Sequence, residues 1–524
     1  MKNIRINYLL ITLLLTSISF SSCMSLLEED GYGKPTSEEL LKNDENIIAL
    51  IGQCYADLKW LHDHWSWWGL NTVSSDECIC PIRMPGSHWS DENYWQPLAT
   101  HQWTERDRSF KNVWTKCFSG AMLCSKVLWQ LDKYYTTNPE LKLKYTAEVK
   151  VLRAYYYYTL LDMFGKVPIV DSWPTNGSTA QLTPDKVYDF LEKELKDNAK
   201  YLPVENNATN YGRATRGIAY GLLTRLYLNA EKFKGVAKYT ECVNYCDSTI
   251  NLAVYSTESN YLNNFLLKNE NSKENMFVIV ENGNDKFDLQ EENKMMNKLR
   301  ISALTLHYQH QTMYNQIEKP WNGFCAPEAF YDMYDDNDKR KKDSWFIGPV
   351  TDPVTNVTLK DENGTDVVIV KQVGSISNAT WNDGARLIKY EIDKLAQNKY
   401  SENDFVLMRY SEILYSKAEA ILRGGTGDLS SILNNSEFQK IRTRANMPMY
   451  NSTTLTLSEL LIERGREFSW EGLRRRDLIR YNKFSQGTWK DKPVISTTRD
   501  WFPIPHDIIM ADPANLEQNE GYNR

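Results

Sequence analysis

Residues 454–484 read TLTLSELLIERGREFSWEGLRRRDLIRYNKF. Thr456 followed three residues later by Glu459 has the pattern of a capping box, in which each side chain can satisfy an orphan N–H, so a helix starts there. Leu457, Leu461, Arg464 and Phe468 fall on one stripe at spacings of four, three and four, which sets a guanidinium in line with apolar side chains. That guanidinium requires partners. Glu467, Glu471 and Asp477, interleaved with Arg466, Arg474, Arg475, Arg476 and Arg480, can supply them, and Gly472 should divide the run into two helical pieces. The competing reading of such a run is a solvated charged face.

The words RGREFSWEGLRRRDLIRY and FPIPHDIIMADPANLEQNEGY resemble the C-terminal signature of the SusD/RagB family of outer-membrane nutrient-binding lipoproteins. Members of that family close with an E-R-x-x-E-x-x-x-E-G-x-R-x-x-D-L helix and a P-I-P … Q-N-P-G-Y tail. Glu463, Arg464, Glu467, Glu471, Gly472, Arg474, Asp477 and Leu478 stand at the helix positions. Pro503, Ile504, Pro505, Gln518, Asn519, Gly521 and Tyr522 stand at those of the tail, while Arg475 replaces a frequent aromatic and Glu520 the tail proline. Two further words match: LRAYYYYTLLDMFGKVPIV, through Arg153, Ala154, Tyr155, Phe164, Gly165, Val167 and Pro168, and SKENMFVIVE from Ser272. The resemblance covers nearly the whole chain after residue 22. It implies that the arginine-rich helix is structural, its charges forming an internal network, and that Asp76 and Glu77, matching the family's S-D-E word, are structural too.

At the other end, Lys2 and Arg5 precede an apolar segment from Tyr8 to Phe20 that is too short to span a bilayer but suits a secretory signal. Residues 1–22 are therefore expected to be a lipoprotein signal peptide, with Ser21, Ser22 and Cys23 in the place of a lipobox and Cys23 the lipidated residue. Lipid chains anchor a soluble body at about 0.8 kcal/mol per buried CH₂. Residues 23–36 would form the tether, and Glu28, Glu29 and Asp30 resemble the acidic surface-export tag of such lipoproteins. Residues 37–524 are then one body. Its formal net charge of −7, counted over the full chain, and the lack of a basic patch with interleaved aromatics argue against nucleic acid as a partner.

The residues offer little for catalysis. Cys242 and Cys246 are four apart, and Cys117 and Cys124 seven apart, in helical patterns that do not favour disulfides, while Cys78 and Cys80 lack a second pair at zinc spacing. These thiols read as small core side chains. His62-x-His64 and His307-x-x-His310 form no H-E-x-x-H arrangement, and no G-x-S-x-G elbow, P-loop or dinucleotide fingerprint occurs. No catalytic residue, metal site or cofactor is assigned.

Apolar residues at spacings of three and four predict helices over 37–59, 109–134, 141–164, 184–201, 216–232 and 236–252. Strands are few: MFVIVE at Met276 to Glu281 is the clearest, VVIVKQV from Val367 the second. RGIAYGLLTRLYLNAEKFKGVAKYTECVNYCDSTIN reads as helix, turn, helix at close to the 34-residue tetratricopeptide length, with Gly221, Ala230 and Ala237 small enough for close packing. A second pair would join 407–422 to 436–445. The fold class expected is mainly α, a tetratricopeptide-like helical-repeat scaffold with an irregular, loop-rich half containing a few short strands. Ligand-binding insertions are expected around 60–108 and 253–403.

Seven of the sixteen tryptophans lie between residues 60 and 103. An indole covers the C–H face of a sugar ring while amides, carboxylates and guanidiniums bind its hydroxyls, so this density favours glycan recognition. The alternative is that these rings are core or interface anchors, which suits Trp60, Trp103, Trp114 and Trp129 in or beside helical runs. The segment CPIRMPGSHWSDENYWQPLATHQW from Cys80 reads as loop, and loops on a rigid scaffold carry binding residues. Arg83, Trp89, Asn93 and Trp95 within it are the leading ligand-binding candidates, joined by Trp65 and Trp68 and by Trp321 of KPWNGF, since the family places ligand contacts in both regions. The resemblance implies a lipoprotein on the outer face of an outer membrane that caps a SusC-like TonB-dependent transporter and delivers a glycan to it without catalysis. A peptide-binding member of the family, a surface glycosidase and a purely structural transporter partner are the rival readings.

Overall fold

The computed structural model describes residues 41, 43–84, 89–175, 177–281, 299–396 and 400–523. The signal peptide, Cys23 and the tether expected over 1–36 lie outside the described residues.

Helices dominate, and consecutive ones pack in pairs as the repeat reading requires. Helix α1 (Asp44–Ala56) lies on α2 (Arg108–Tyr134), which pairs with α3 (Pro139–Phe164), and α3 is followed by α4 (Pro184–Asn198). Helix α5 (Arg216–Leu228) pairs with α6 (Tyr239–Ile250), and α6 with α7 (Tyr410–Leu422). Helices α8 (Ser436–Arg444) and α9 (Leu457–Glu467) both pack on α7, and α10 (Arg474–Arg480) on α9.

Local chemistry sets these boundaries. Asn138 caps α3 by accepting from the N–H groups of Glu140 and Leu141, with Pro139 in the first turn, where a missing N–H costs nothing. At the α2–α3 crossing a Cβ on Gly120 would lie 2.3 Å from the Tyr156 ring, so the glycine is what lets the helices approach. Gly221 does the same on α5, against Met408. The helix expected over 216–232 stops at Leu228, a separate turn runs Ala230–Lys234 to the left-handed Gly235, and α6 starts only at Tyr239.

Strand β1 (Asn275–Ile279) pairs antiparallel with β2 (Phe405–Arg409). Residues 407–409, expected in a helix, are thus strand. The β-branched and aromatic run Phe405–Val406 finds its partner only through a contact more than a hundred residues away, and α7 begins at Tyr410. Of VVIVKQV only Val368 and Ile369 form a strand, opposite Gly348–Pro349. The remaining strand pairs are equally short.

Thr456 caps α9 as expected, its hydroxyl accepting from the Glu459 N–H at 3.2 Å. The reciprocal half of the box is not made, because the Glu459 carboxylate accepts instead from the Tyr450 hydroxyl and from Arg466. Gly472, at φ 75°, separates α9 from α10. The charges turn inward. Arg464 grips Asp477 at 2.7 and 3.0 Å; Arg340 binds Asp338, Glu463 and Glu467; Arg409 binds Glu274, Glu467 and Glu471; and Arg444 binds Glu274 and Glu467. Burial opposes ionisation here, but the guanidiniums prevail and hold Glu274, Glu463 and Asp477 well below the usual carboxylate range. The run is therefore a buried ionic lattice and not a solvated face.

The tail packs back on this body. Phe502 N–H donates to the Met163 carbonyl at 2.7 Å, the Asn519 amide donates to the Phe164 and Phe502 carbonyls, and the Tyr522 hydroxyl links Trp103 to the Trp501 carbonyl. Arg475 lies beneath it, 4.3 Å from the Phe502 ring centroid.

Candidate functional site

Trp89 and Trp321 meet face to face, ring centroids 5.5 Å apart and planes 15° apart, and each keeps part of its surface exposed. They come from the two segments singled out in the sequence, joined here into one aromatic surface. The segment carrying Trp321 is fixed by its backbone: Trp321 N–H donates to the Ala303 carbonyl and Asn322 N–H to that of Leu306. A Cβ on Gly323 would fall 2.3 Å from the Trp89 ring, so glycine is required for the stack to form.

Below the pair lies a floor of aromatic rings. Phe324 meets Trp89 edge-on at 5.4 Å, Trp95 at 5.2 Å and Trp68 at 5.9 Å, and Trp68 meets Trp470 at 5.9 Å. Polar ends are satisfied: Trp68 Nε1 donates to the Trp470 carbonyl, while Trp470 donates its backbone N–H to the Glu77 carboxylate and its indole N–H to the Glu77 carbonyl. Glu77 is fully buried, and burial raises its carboxyl to about 8. Asp76 pairs with Arg474 at 2.7 Å. Both residues of the S-D-E word thus tie the platform's floor to the ionic lattice.

The other candidates divide. Asn93 is exposed, at the end of a left-handed run in which Asp91, Glu92 and Asn93 have φ of 48°, 56° and 68°. Its side-chain oxygen accepts from the Ser90 hydroxyl. Trp95 and Trp68 are 0% exposed and offer a ligand no surface, which corrects their assignment as contacts. Trp95 packs inward against Trp65, Tyr94 and Phe324, and Asp91 accepts its indole N–H at 2.9 Å, so its polar end is satisfied inside a polar-looking loop. Arg83, also buried, donates to the carbonyls of Asn322, Gly323, Thr380 and Asp383, clamping the Trp321 segment where a ligand contact was expected. Trp65 is 8% exposed and has the Arg108 guanidinium 3.2 Å above its ring.

Sequence reasoning missed Arg300 and Tyr400. Arg300 lies 5.9 Å from the Trp321 centroid and 4.7 Å from that of Tyr400, whose hydroxyl it also contacts at 3.0 Å. No local pattern marks either residue, since only the tertiary fold sets them beside Trp321. The platform thus sets partly exposed indoles beside a guanidinium and a phenol, groups that bind rings bearing hydroxyls. Among the described residues no group of three His, Cys, Asp or Glu converges to hold a metal ion. The eight cysteines described are free and buried.

Residues 238–522 match the model of the SusD family, and residues 73–228 match a model described as starch-binding associating with outer membrane. The starch-binding protein SusD of Bacteroides thetaiotaomicron is 26% identical over 493 residues, spanning 86% of this chain and 84% of its own. A solved SusD superfamily protein from Parabacteroides distasonis shares the fold at a TM-score of 0.73 and 18% identity, over 93% of this chain and all of its own. Surface glycan-binding protein A from Bacteroides thetaiotaomicron, solved in complex with laminarihexaose, does so at 0.69 and 21% identity, over 91% of this chain and 99% of its own.

Proposed function

This chain belongs to the SusD family, and on that premise we propose that it captures an oligo- or polysaccharide at the cell surface and delivers it to a SusC-like TonB-dependent outer-membrane transporter. The observation that carries the reading is the Trp89–Trp321 stack, two partly exposed indoles packed face to face over a floor of buried rings. The parts of the stacked rings that stay exposed can pack against the C–H face of a sugar, while Arg300 and Tyr400 beside Trp321 can bind its hydroxyls. The relative named for starch binding and the fold neighbour solved with laminarihexaose support a glycan over a peptide. The protein is a binder and not an enzyme. Cys23 would carry the lipid, residues 23–36 would form the tether, and 37–524 would act as one body facing outward. Holding ligand at the pore raises its effective concentration without strong affinity per ring.

Affinity electrophoresis of residues 24–524 in gels containing starch, laminarin and other plant, host and microbial polysaccharides tests this. Retardation by at least one is expected; retardation by none, with peptides bound instead, would contradict it.

A further inference from the structure

A second cleft opens at the end of a chain of rings that leads away from the aromatic floor. It encloses about 720 Å³ between α9, α10, the turn around Phe330 and the loop 483–491, a size within the range of ligand pockets, roughly 300–1,000 Å³. It shares no lining residue with the platform: Phe330 stands 6.0 Å from Trp345, Trp345 5.8 Å from Trp470, and Trp470 belongs to the floor under Trp89.

The walls are apolar and aromatic, with Phe330, Leu461, Ile462, Tyr481 and Trp489 facing the space. Its charged residues balance. Asp76 pairs with Arg474 at 2.7 Å and Glu328 with Lys490 at 3.5 Å, which leaves Lys483 and Asp491 as one further charge of each sign. A net charged ligand gains nothing from such a wall. Hydrogen-bonding groups of the lining, the Ser458 and Thr488 hydroxyls, the Lys483 ammonium and the Asp491 carboxylate, stand among these rings. Donors and acceptors among aromatic rings, with no net charge, suit a neutral ring compound rich in hydroxyls.

We propose that this cleft is a second binding site, for the end of a neutral oligosaccharide; the choice of sugar rests on the glycan reading above, whereas the site itself does not. Two separate sites joined through one set of buried rings would let a single protein hold a chain at two points or hold two chains, raising avidity where one platform is weak.

The test labels the protein with 5-fluorotryptophan and follows ¹⁹F resonances during titration with maltohexaose and laminarihexaose. The Trp489 resonance is expected to shift, to do so still in the Trp89→Ala/Trp321→Ala double variant, and to require at least tenfold more sugar in Ala329→Trp, which fills the cleft from an exposed position. Trp489→Phe assigns the resonance. Shifts confined to Trp89 and Trp321 overturn the second site and leave the platform standing. A shift of Trp489 without shifts of Trp89 and Trp321 upholds the second site and overturns the platform. No shift at any tryptophan overturns both.

Discussion

The tryptophan-rich segment 60–103 and the arginine-rich segment 456–484 look alike as prose: each packs recognition-competent side chains into a short stretch. The fold treats them differently. Arg464, Arg474, Arg475 and Arg476 are buried, the first two and Arg476 against the carboxylates of Asp477, Asp76 and Asp162, and Arg475 on the carbonyls of Asp162 and Asp500. Of the seven tryptophans, Trp65, Trp67, Trp68, Trp95 and Trp103 are also buried, but Trp89 keeps a face outward and finds Trp321 to stack upon. Density of a residue type therefore says that a region matters, while only the pairing of each polar end says whether it faces protein or ligand. Trp95 is the instructive case, because its ring packs among Trp65, Tyr94 and Phe324 while Asp91 satisfies its indole N–H.

Breaking the inner region should cost far more stability than breaking the outer one. The largest loss is expected on deleting residues 501–524. Phe502, Ile504, Ile509 and Leu516 are buried, at about 1.5–3 kcal/mol each, so the sum is several kcal/mol even after allowing for a compact unfolded chain. Thermal unfolding followed by circular dichroism should show the cooperative transition moved far down or lost; an unchanged midpoint contradicts the account.

Next come single changes to buried residues. Arg409→Met leaves Glu274, Glu467 and Glu471 buried without that cation and should cost about 3–5 kcal/mol. Trp95→Ala should cost about the same by opening a cavity. Denaturant titration would place both well below the parent, and a parent-like midpoint for Arg409→Met would mean that the lattice does not hold the fold.

Acid separates the two kinds of buried carboxyl. Glu274, Glu463 and Asp477 have folded pKa values depressed by arginines, so their contribution is present above the ordinary carboxylate range, about 4, and is lost as pH falls below it. Asp404, whose carboxylate accepts from the Tyr211 hydroxyl and the Glu281 N–H, behaves oppositely. Burial raises its carboxyl to about 6, so its contribution is present below about 4 and lost as pH rises through 6, amounting to about 3 kcal/mol. Asp404→Asn should make the decline between pH 4 and 6 shallower, leaving the part due to Glu77, which runs up to about 8, and leaving acid unfolding in place; a profile identical to the parent's would contradict the Asp404 assignment. The smallest stability effects belong to the platform, where Trp89→Ala should cost about 1–2 kcal/mol and Asn93→Ala less than about 0.5 kcal/mol.

Much of the scaffold was legible because it depends on local pattern. Thr456, Gly472 and the apolar spacing of α2, α3 and α4 each act within a few residues, and the structure follows them. Residues 407–409 were not legible, since their strand needs β1 more than a hundred residues earlier. At the site, Trp89 and Trp321 could be proposed one at a time from their loops, but not that they stack, that Gly323 makes room for them, or that Arg83 holds their backbone from below. Arg300 and Tyr400 carry no signal at all until the chain is folded.

The most direct measurement compares the parent with Trp89→Ala, Trp321→Ala and Trp95→Ala, reading glycan retardation and thermal midpoint on the same preparations. The account predicts that the first two lose retardation, at least tenfold in affinity, at nearly the parental midpoint, whereas Trp95→Ala loses stability first. Retention of binding by both platform variants, with folded protein in hand, would contradict it.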